Sequence, residues 1–267
     1  MKPTLVLLTL ALAGATAQTA HDWTVPATLA PSTNGTPREY RFTCDYHNLD
    51  IRGHLTGLQR VSGRYTRGLP KGAMRWNDVS IAQGSGPETL GAPVRRDFME
   101  GFTYADAGAD MLEPDFFPGF PSSAMQERNL VWDTRMFEEF AHDLLTKLRL
   151  NVPYHVPDVE NIALAGAGSF HHKDLQLTWT GITKRDGKEC AVIDYRAFFN
   201  TLDVAAGGVK LIGRSDYWGQ IWVSRADGRI EYATLYEEVL GELTLPGQDK
   251  PMPMSVIRIG VFEPVTK

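Results

Sequence analysis

From Tyr40 onward the chain alternates apolar and polar positions in short runs. "YRFTCDYH", "HLTGLQRVSGRYTR", "AMRWNDVSIAQG" and "RRDFMEGFTYA" are rich in Thr, Val, Tyr and Phe, and Phe98, Phe102 and Tyr104 fall on one face. Successive side chains of a strand point to opposite faces, so this period of two predicts half-buried antiparallel strands over about 40–105.

The alternation then stops. The stretch 106–132 carries "ADAGADMLEPDFFPGFPSSAM", whose prolines offer no N–H to a strand ladder, and it reads as a long irregular connection. Its acids Asp106, Asp110, Glu113 and Asp115 lack the spacing of an EF-hand loop and read as solvated loop carboxylates. In "DTRMFEEFAHDLLTKLRL" the period changes to three and four. Phe137, Phe140, Ala141, Leu144, Leu145 and Leu148 share one stripe, which predicts a single amphipathic helix over about 134–150 with Asp133 as its N-cap. Glu139, His142 and Thr146 fall opposite that stripe, so the lone Glu139-x-x-His142 pair reads as a solvated face and not as half of a di-iron site.

Strand-like runs return over about 170–263. They are separated by the dipeptides Asp186-Gly187 and Asp227-Gly228, which favour the positive φ angles of type I′ hairpins, and by a break at Gly207-Gly208. The whole predicts one mainly β domain over 39–267, with up to about ten strands in a large, strongly curved antiparallel sheet or incompletely closed barrel, and one amphipathic helix packed on it.

Ahead of the domain, "MKPTLVLLTLALAGATA" has Lys2, an apolar run and small residues at Ala15 and Ala17, the anatomy of a secretory signal over 1–17 cleaved near Ala17. Residues 18–38 are rich in Thr, Pro and Ala without period and read as an extended or disordered leader. A secreted or periplasmic location follows. The Asn34-Gly35-Thr36 sequon matters only in a eukaryotic secretory path. A formal net charge of -5, with no clustered Lys and Arg, argues against a nucleic-acid surface, and no second apolar run reaches the length of a membrane helix.

Export makes a disulfide between the two cysteines, Cys44 and Cys190, the expected state. The alternative is a Cys44 nucleophile assisted by Asp45 or His47 in "CDYHNLD", which carries no local signature of a thiol enzyme. The adjacent histidines of "GSFHHKDLQLTW" are candidate metal ligands, in a turn, with His155 or a carboxylate as a third. Within a strand, however, His171 and His172 face apart, and the spacing fits no zinc pattern. "GRSDY" lacks the second glycine of a nucleophile elbow, Glu237 and Glu238 are strand neighbours with opposite directions, and "LAGAGSF" lacks the full phosphate-binding pattern. The sequence therefore names no catalytic residue and implies no cofactor.

The run "YWGQIWVSRADGRIEYATL" pairs an aromatic strand with a turn and a second strand. In this it resembles the periplasmic lipoprotein carriers of the LolA type and their half-barrel relatives, over Leu175 to Phe262. The chain also resembles exported families of unknown function with two strand-rich halves around a proline-rich link, here "FPGFP". The carrier resemblance implies an incompletely closed barrel whose apolar interior holds acyl chains, without enzymatic chemistry.

The expected function is thus a non-enzymatic binding or scaffold protein holding a hydrophobic small molecule or lipid against its sheet. The expected lining is Trp179, Ile182, Ile193, Tyr195, Trp218, Trp222 and Tyr236. Two alternatives stand beside it: a secreted hydrolase with its site where the proline-rich link meets the His171 to Asp174 turn, and an envelope protein that docks a partner through loops or a sheet edge.

Overall fold

The computed structural model of the chain describes residues 36–105, 111–157, 161–248 and 250–266. The expected signal segment, nearly all of the leader, Asn34, Asp106 and Asp110 lie outside the described residues.

Period-two alternation builds strands as the sequence predicts. The first half gives β1 (Arg38–Leu49), β2 (Leu55–Leu69), β3 (Ala73–Gly84), β4 (Val94–Arg95) and β5 (Phe102–Ala105). After the helix come the short β6 (Tyr154–His155), β7 (Asn161–Ala163) and β8 (Gly168–His171). Long strands complete the chain: β9 (Leu175–Arg185), β10 (Lys188–Ala206), β11 (Val209–Ser224), β12 (Ile230–Thr244) and β13 (Met252–Pro264). All belong to one antiparallel sheet of 13 strands in the order β4-β3-β2-β1-β13-β12-β11-β10-β8-β7, with β5 on β3, β9 on β10 and β6 on β9. The pairing of β1 with β13, from Tyr40↔Pro264 to Leu49↔Ser255, joins the two halves of the chain into a single curved, open sheet. That is the expected fold class, with more strands than the roughly ten expected, because β4, β6 and β7 are only two or three residues long and too short to leave a periodic signal.

The turns show where local chemistry is decisive. Asp186 and Gly187 both have positive φ, 50° and 79°, as a type I′ hairpin needs. Gly207 and Gly208, at 60° and 79°, form a second such turn, closing the Ala206↔Val209 pair. At Asp227-Gly228 the expectation fails. Only Gly228 has positive φ, and the chain takes a wider loop in which the Gly228 amide donates to the Ser224 carbonyl at 2.9 Å.

The helix departs most from expectation. Helix α1 covers Met125–Glu138, continues as one wider π turn over Glu139–Asp143 and ends in a short 3-10 turn, so it begins inside the stretch expected to be linker. Its first turns bury Glu127, Arg128 and Thr134, which erases the apolar period that would have announced them. Asp133 is accordingly a mid-helix residue and not a cap. The expected stripe is real: Phe137, Phe140, Ala141, Leu144, Leu145 and Leu148 are all buried. Phe137 packs against Phe42 at 5.7 Å and Phe262 at 5.8 Å between ring centroids, which sets the helix on the concave face of β1 and β13.

The rest of the linker is packed as well. Phe117 lies 6.0 Å from Phe102 and 5.6 Å from Trp132, so this segment wedges between β5 and α1.

The expected Cys44–Cys190 disulfide is absent: both thiols are free and buried. Three strands separate β1 from β10 in the sheet order. At about 4.8 Å per strand step, the two Cα atoms fall outside the ~7 Å reach of a disulfide. The thiol-nucleophile alternative fails on the same alternation. Cys44 faces the core while Asp45 and His47 face away, and burial pushes the Cys44 thiol up to about 12.

Candidate functional site

Residues of nine strands, β1, β2 and β7 to β13, and one side of α1 border a cavity of about 800 Å³. The strand register arranges its wall in tiers. Leu211, Leu243 and Met254 form a half-exposed mouth, near the Gly207 turn and Ser123. Val239 and Val256, paired across β12 and β13, form the middle. Tyr217, Leu235, Phe140, Glu237 and Arg258 form a buried floor.

Gly213 and Gly241 face each other across β11 and β12. A Cβ on either would stand 2.3 or 2.5 Å from a carbonyl oxygen of the other strand, so only glycine permits this close backbone approach.

The floor is polar. Arg258 donates to Asp133 of α1 and to Glu237 of β12, and the Ser215 hydroxyl donates to the second oxygen of Glu237 at 2.6 Å. The guanidinium also lies 5.0 Å from the centre of the Tyr46 ring, whose hydroxyl accepts from Asn129 at 3.2 Å. Burial raises the Asp133 carboxyl to about 6, partly offset by Arg258. For Arg258, burial opposes the charged form, but Asp133, Tyr46 and Glu237 outweigh it and hold the pKa well above the ordinary arginine value. Two more ion pairs fasten the helix to the N-terminal half: Glu127 with Arg96 at 2.9 Å, and Glu138 with Arg67, the Tyr65 hydroxyl adding a 2.7 Å hydrogen bond to Glu138.

Glu139 and His142 do not face solvent as expected. Glu139 lines the cavity. Burial, with Arg67 and Arg135 nearby, lowers His142 to about 3, and its Nδ1 has no hydrogen-bond partner.

The three histidines separate. His171 pairs with Asn161 at 3.0 Å on the cross-strand register of β7 and β8. His172 turns inward, with its Nε2 2.7 Å from the Tyr217 hydroxyl and its ring 4.8 Å from Phe170. His155 pairs with Asp174 at 2.7 Å on the surface. The two neighbours thus face apart as expected, although they do not enter the Leu175 strand, because the chain breaks between His171 and Leu175 into two strands on the same edge of β10. The proline-rich link and this break both border the cavity, the one with Met111 and Leu112 and the other with His172.

Ser215 and Asp216 lie within β11 and not in the turn expected for them; Ser215 is buried, and Asp216, on the other face, accepts the Phe199 amide. Glu237 and Glu238 point to opposite faces as expected, and Glu237 is the one inside.

None of the seven residues expected to line a ligand site borders the cavity. Trp179, Ile193 and Tyr195 are core, with the Tyr195 hydroxyl donating to the Thr234 carbonyl at 2.6 Å, and Ile182 packs partly buried against them. Trp218 and Tyr236 stack on the opposite, convex face, 41% and 38% exposed. Trp222 sits on that face against Tyr232 at 5.6 Å. Alternation is the reason: in β11 the inward positions are Tyr217, Gly219, Ile221 and Val223, so both tryptophans between them point out. Sequence reasoning passed over Arg258, and it read Asp133 as a helix cap and Glu237 only as the strand neighbour of Glu238. The signal was present for Arg258, which shares the inward parity of Val256, Gly260 and Phe262.

No protein-family model matches the chain, and no curated protein matches it. Among solved structures the chain is similar to one described as lipid-protein interactions in lipovitellin, at 10% identity and a TM-score of 0.43, over 86% of this chain and 25% of that one. The chain therefore spans about a quarter of the length of that chain. Among the described residues no helix is long and apolar enough to cross a membrane.

Proposed function

We propose that the protein is an exported, non-enzymatic binding protein that holds one apolar, lipid-like molecule between α1 and the concave face of its sheet, as the resemblance to LolA-type carriers implies. The observation that carries this reading is the cavity of about 800 Å³ with Leu, Val and Met side chains from mouth to mid-depth. Its size lies within the ~300–1,000 Å³ of small-molecule sites, and a few polar groups at one end are what such sites use to orient a ligand. Export is supported by the apolar run and the small residues ahead of Gln18.

Titration with the neutral, environment-sensitive dye Nile red tests the binding claim. The expected result is saturable emission at one dye per chain, displaced by long-chain lipids. Emission that never saturates, or that lipids do not displace, contradicts it. Fractionation of the native host, with N-terminal sequencing, tests export: the expected product begins near Gln18.

A further inference from the structure

The outer face of β1 and β2, turned away from the cavity, carries a second and quite different recess. Arg41, Thr43 and Asp45 of β1 stand directly opposite Arg64, Ser62 and Arg60 of β2. Their chain neighbours Phe42, Cys44, Val61 and Tyr65 are buried in the core, so alternation turns these six side chains outward. Each pair makes one tier, about 7 Å from the next along the strands. The middle tier, Thr43 and Ser62, is short, and arginines stand on both sides of it. The result is a depression of about 410 Å³ bordered by the three arginines, the two hydroxyls and Asp78.

The three guanidiniums are incompletely used. Arg41 makes no hydrogen bond or ion pair with a described residue. Its partner position on β13 is Glu263, which pairs with Arg185 at 2.9 Å, and its partner on β2 is the like charge of Arg64, an unfavourable placement in a sheet. Asp45 takes Nε and Nη2 of Arg60 at 2.7 Å each and leaves Nη1. Glu39 takes Nη1 of Arg64 at 2.9 Å and Asp78 lies 3.4 Å from its Nε, which leaves Nη2. Asp45 and Glu39 thus hold two of the arginines without bordering the depression, where three positive charges meet the one carboxylate of Asp78.

We infer that this recess binds a phosphate monoester group, with guanidiniums of Arg41, Arg60 and Arg64 around it and the Thr43 and Ser62 hydroxyls beneath. Guanidiniums hold phosphate oxygens through charge-assisted hydrogen bonds in a planar fork. A monoester brings two negative charges, which match the excess at the recess, and a tetrahedral set of acceptors that several donors reach from different sides. A carboxylate is matched by a single fork, as Asp45 is by Arg60, and would leave the other two arginines unanswered. A soluble phosphate ester and the head of phosphatidic acid offer this same chemistry.

Two measurements on the full chain at low ionic strength test this and separate the sources: calorimetric titration with glycerol 1-phosphate and with acetate, and co-sedimentation with phosphatidylcholine vesicles with and without phosphatidic acid. The phosphate ester is expected to bind saturably, one per chain, and about ten-fold or more tightly than acetate. Arg41→Ala, which breaks no contact within the protein, is expected to weaken binding by about ten-fold or more. Lys210→Ala, which removes an exposed charge from β11, is expected to leave binding within about two-fold. Binding of glycerol 1-phosphate assigns a soluble ester. Co-sedimentation that requires phosphatidic acid, without binding of the soluble ester, assigns the lipid head, and either result upholds the site if Arg41→Ala weakens it. Binding of neither phosphate probe, equal binding of acetate, or binding that Arg41→Ala leaves unchanged or that Lys210→Ala weakens equally overturns the proposal, and none of these outcomes bears on the cavity.

Discussion

Arg258 and Asp133, 125 residues apart in the chain, form a buried ion pair that fixes helix α1 to the last strand beside the cavity. Glu237 takes the other arm of the same guanidinium, so one side chain ties α1, β12 and β13 together.

Removing that guanidinium is therefore expected to be severe. Arg258→Ala leaves two carboxylates buried without a counter-charge, and the expected loss of unfolding free energy is about 3–5 kcal/mol. Urea denaturation checks it, and a loss below about 1 kcal/mol would mean that the pair is solvated. Replacing all three groups at once, as Arg258→Met with Asp133→Leu and Glu237→Leu, is expected to recover most of the stability, since no charge then remains to be desolvated.

The raised pKa of Asp133 has a definite sign. Its carboxyl titrates near 6 in the folded protein against 3.8 ordinarily, so the folded state holds the proton more tightly than the unfolded chain. The advantage on this group is full below about pH 4 and disappears as pH rises through 6, a loss of about 3 kcal/mol by pH 7. Asp133→Asn lacks this dependence. The stability difference between the two proteins should accordingly move in favour of Asp133→Asn as pH rises from 4 to 7, and a flat difference would place the carboxyl in water.

The cysteines make a simple test. Cys44 and Cys190 are free and buried, so a thiol reagent is expected to label neither in the native protein and both after unfolding, and reductant should leave Tm unchanged. A fall of several degrees in reductant would show a disulfide that contributes to stability.

How far the sequence reached is instructive at particular residues. Alternation in "YRFTCDYH" and "MSVIRIGVF" made the strands legible, and Asp186-Gly187 its hairpin, because both signals are local. The helix start was not legible, because Glu127, Asp133 and Glu138 look like solvent residues until their arginine partners arrive from β13, β2 and the loop before β5. The expected lining lies away from the cavity for a related reason. Trp218, Trp222 and Tyr236 attract attention by size, but parity in β11 and β12 sends them to the convex face, while the cavity is bordered by Val and Leu side chains that no sequence signal marks. Which face of a curved sheet is concave is a property of the whole sheet, and so is where the empty volume lies.

The central claim is that the space between α1 and the sheet is occupied by a small apolar molecule. Val239 faces the middle of that space, so Val239→Trp should fill part of it without disturbing the ladder hydrogen bonds. Native mass spectrometry of the two purified proteins compares them directly. The wild-type chain is expected to carry a lipid-sized adduct that organic extraction removes, and Val239→Trp, folded and equally monodisperse, is expected to lack it. Adduct-free wild-type protein, or an adduct retained undiminished by Val239→Trp, would contradict the account.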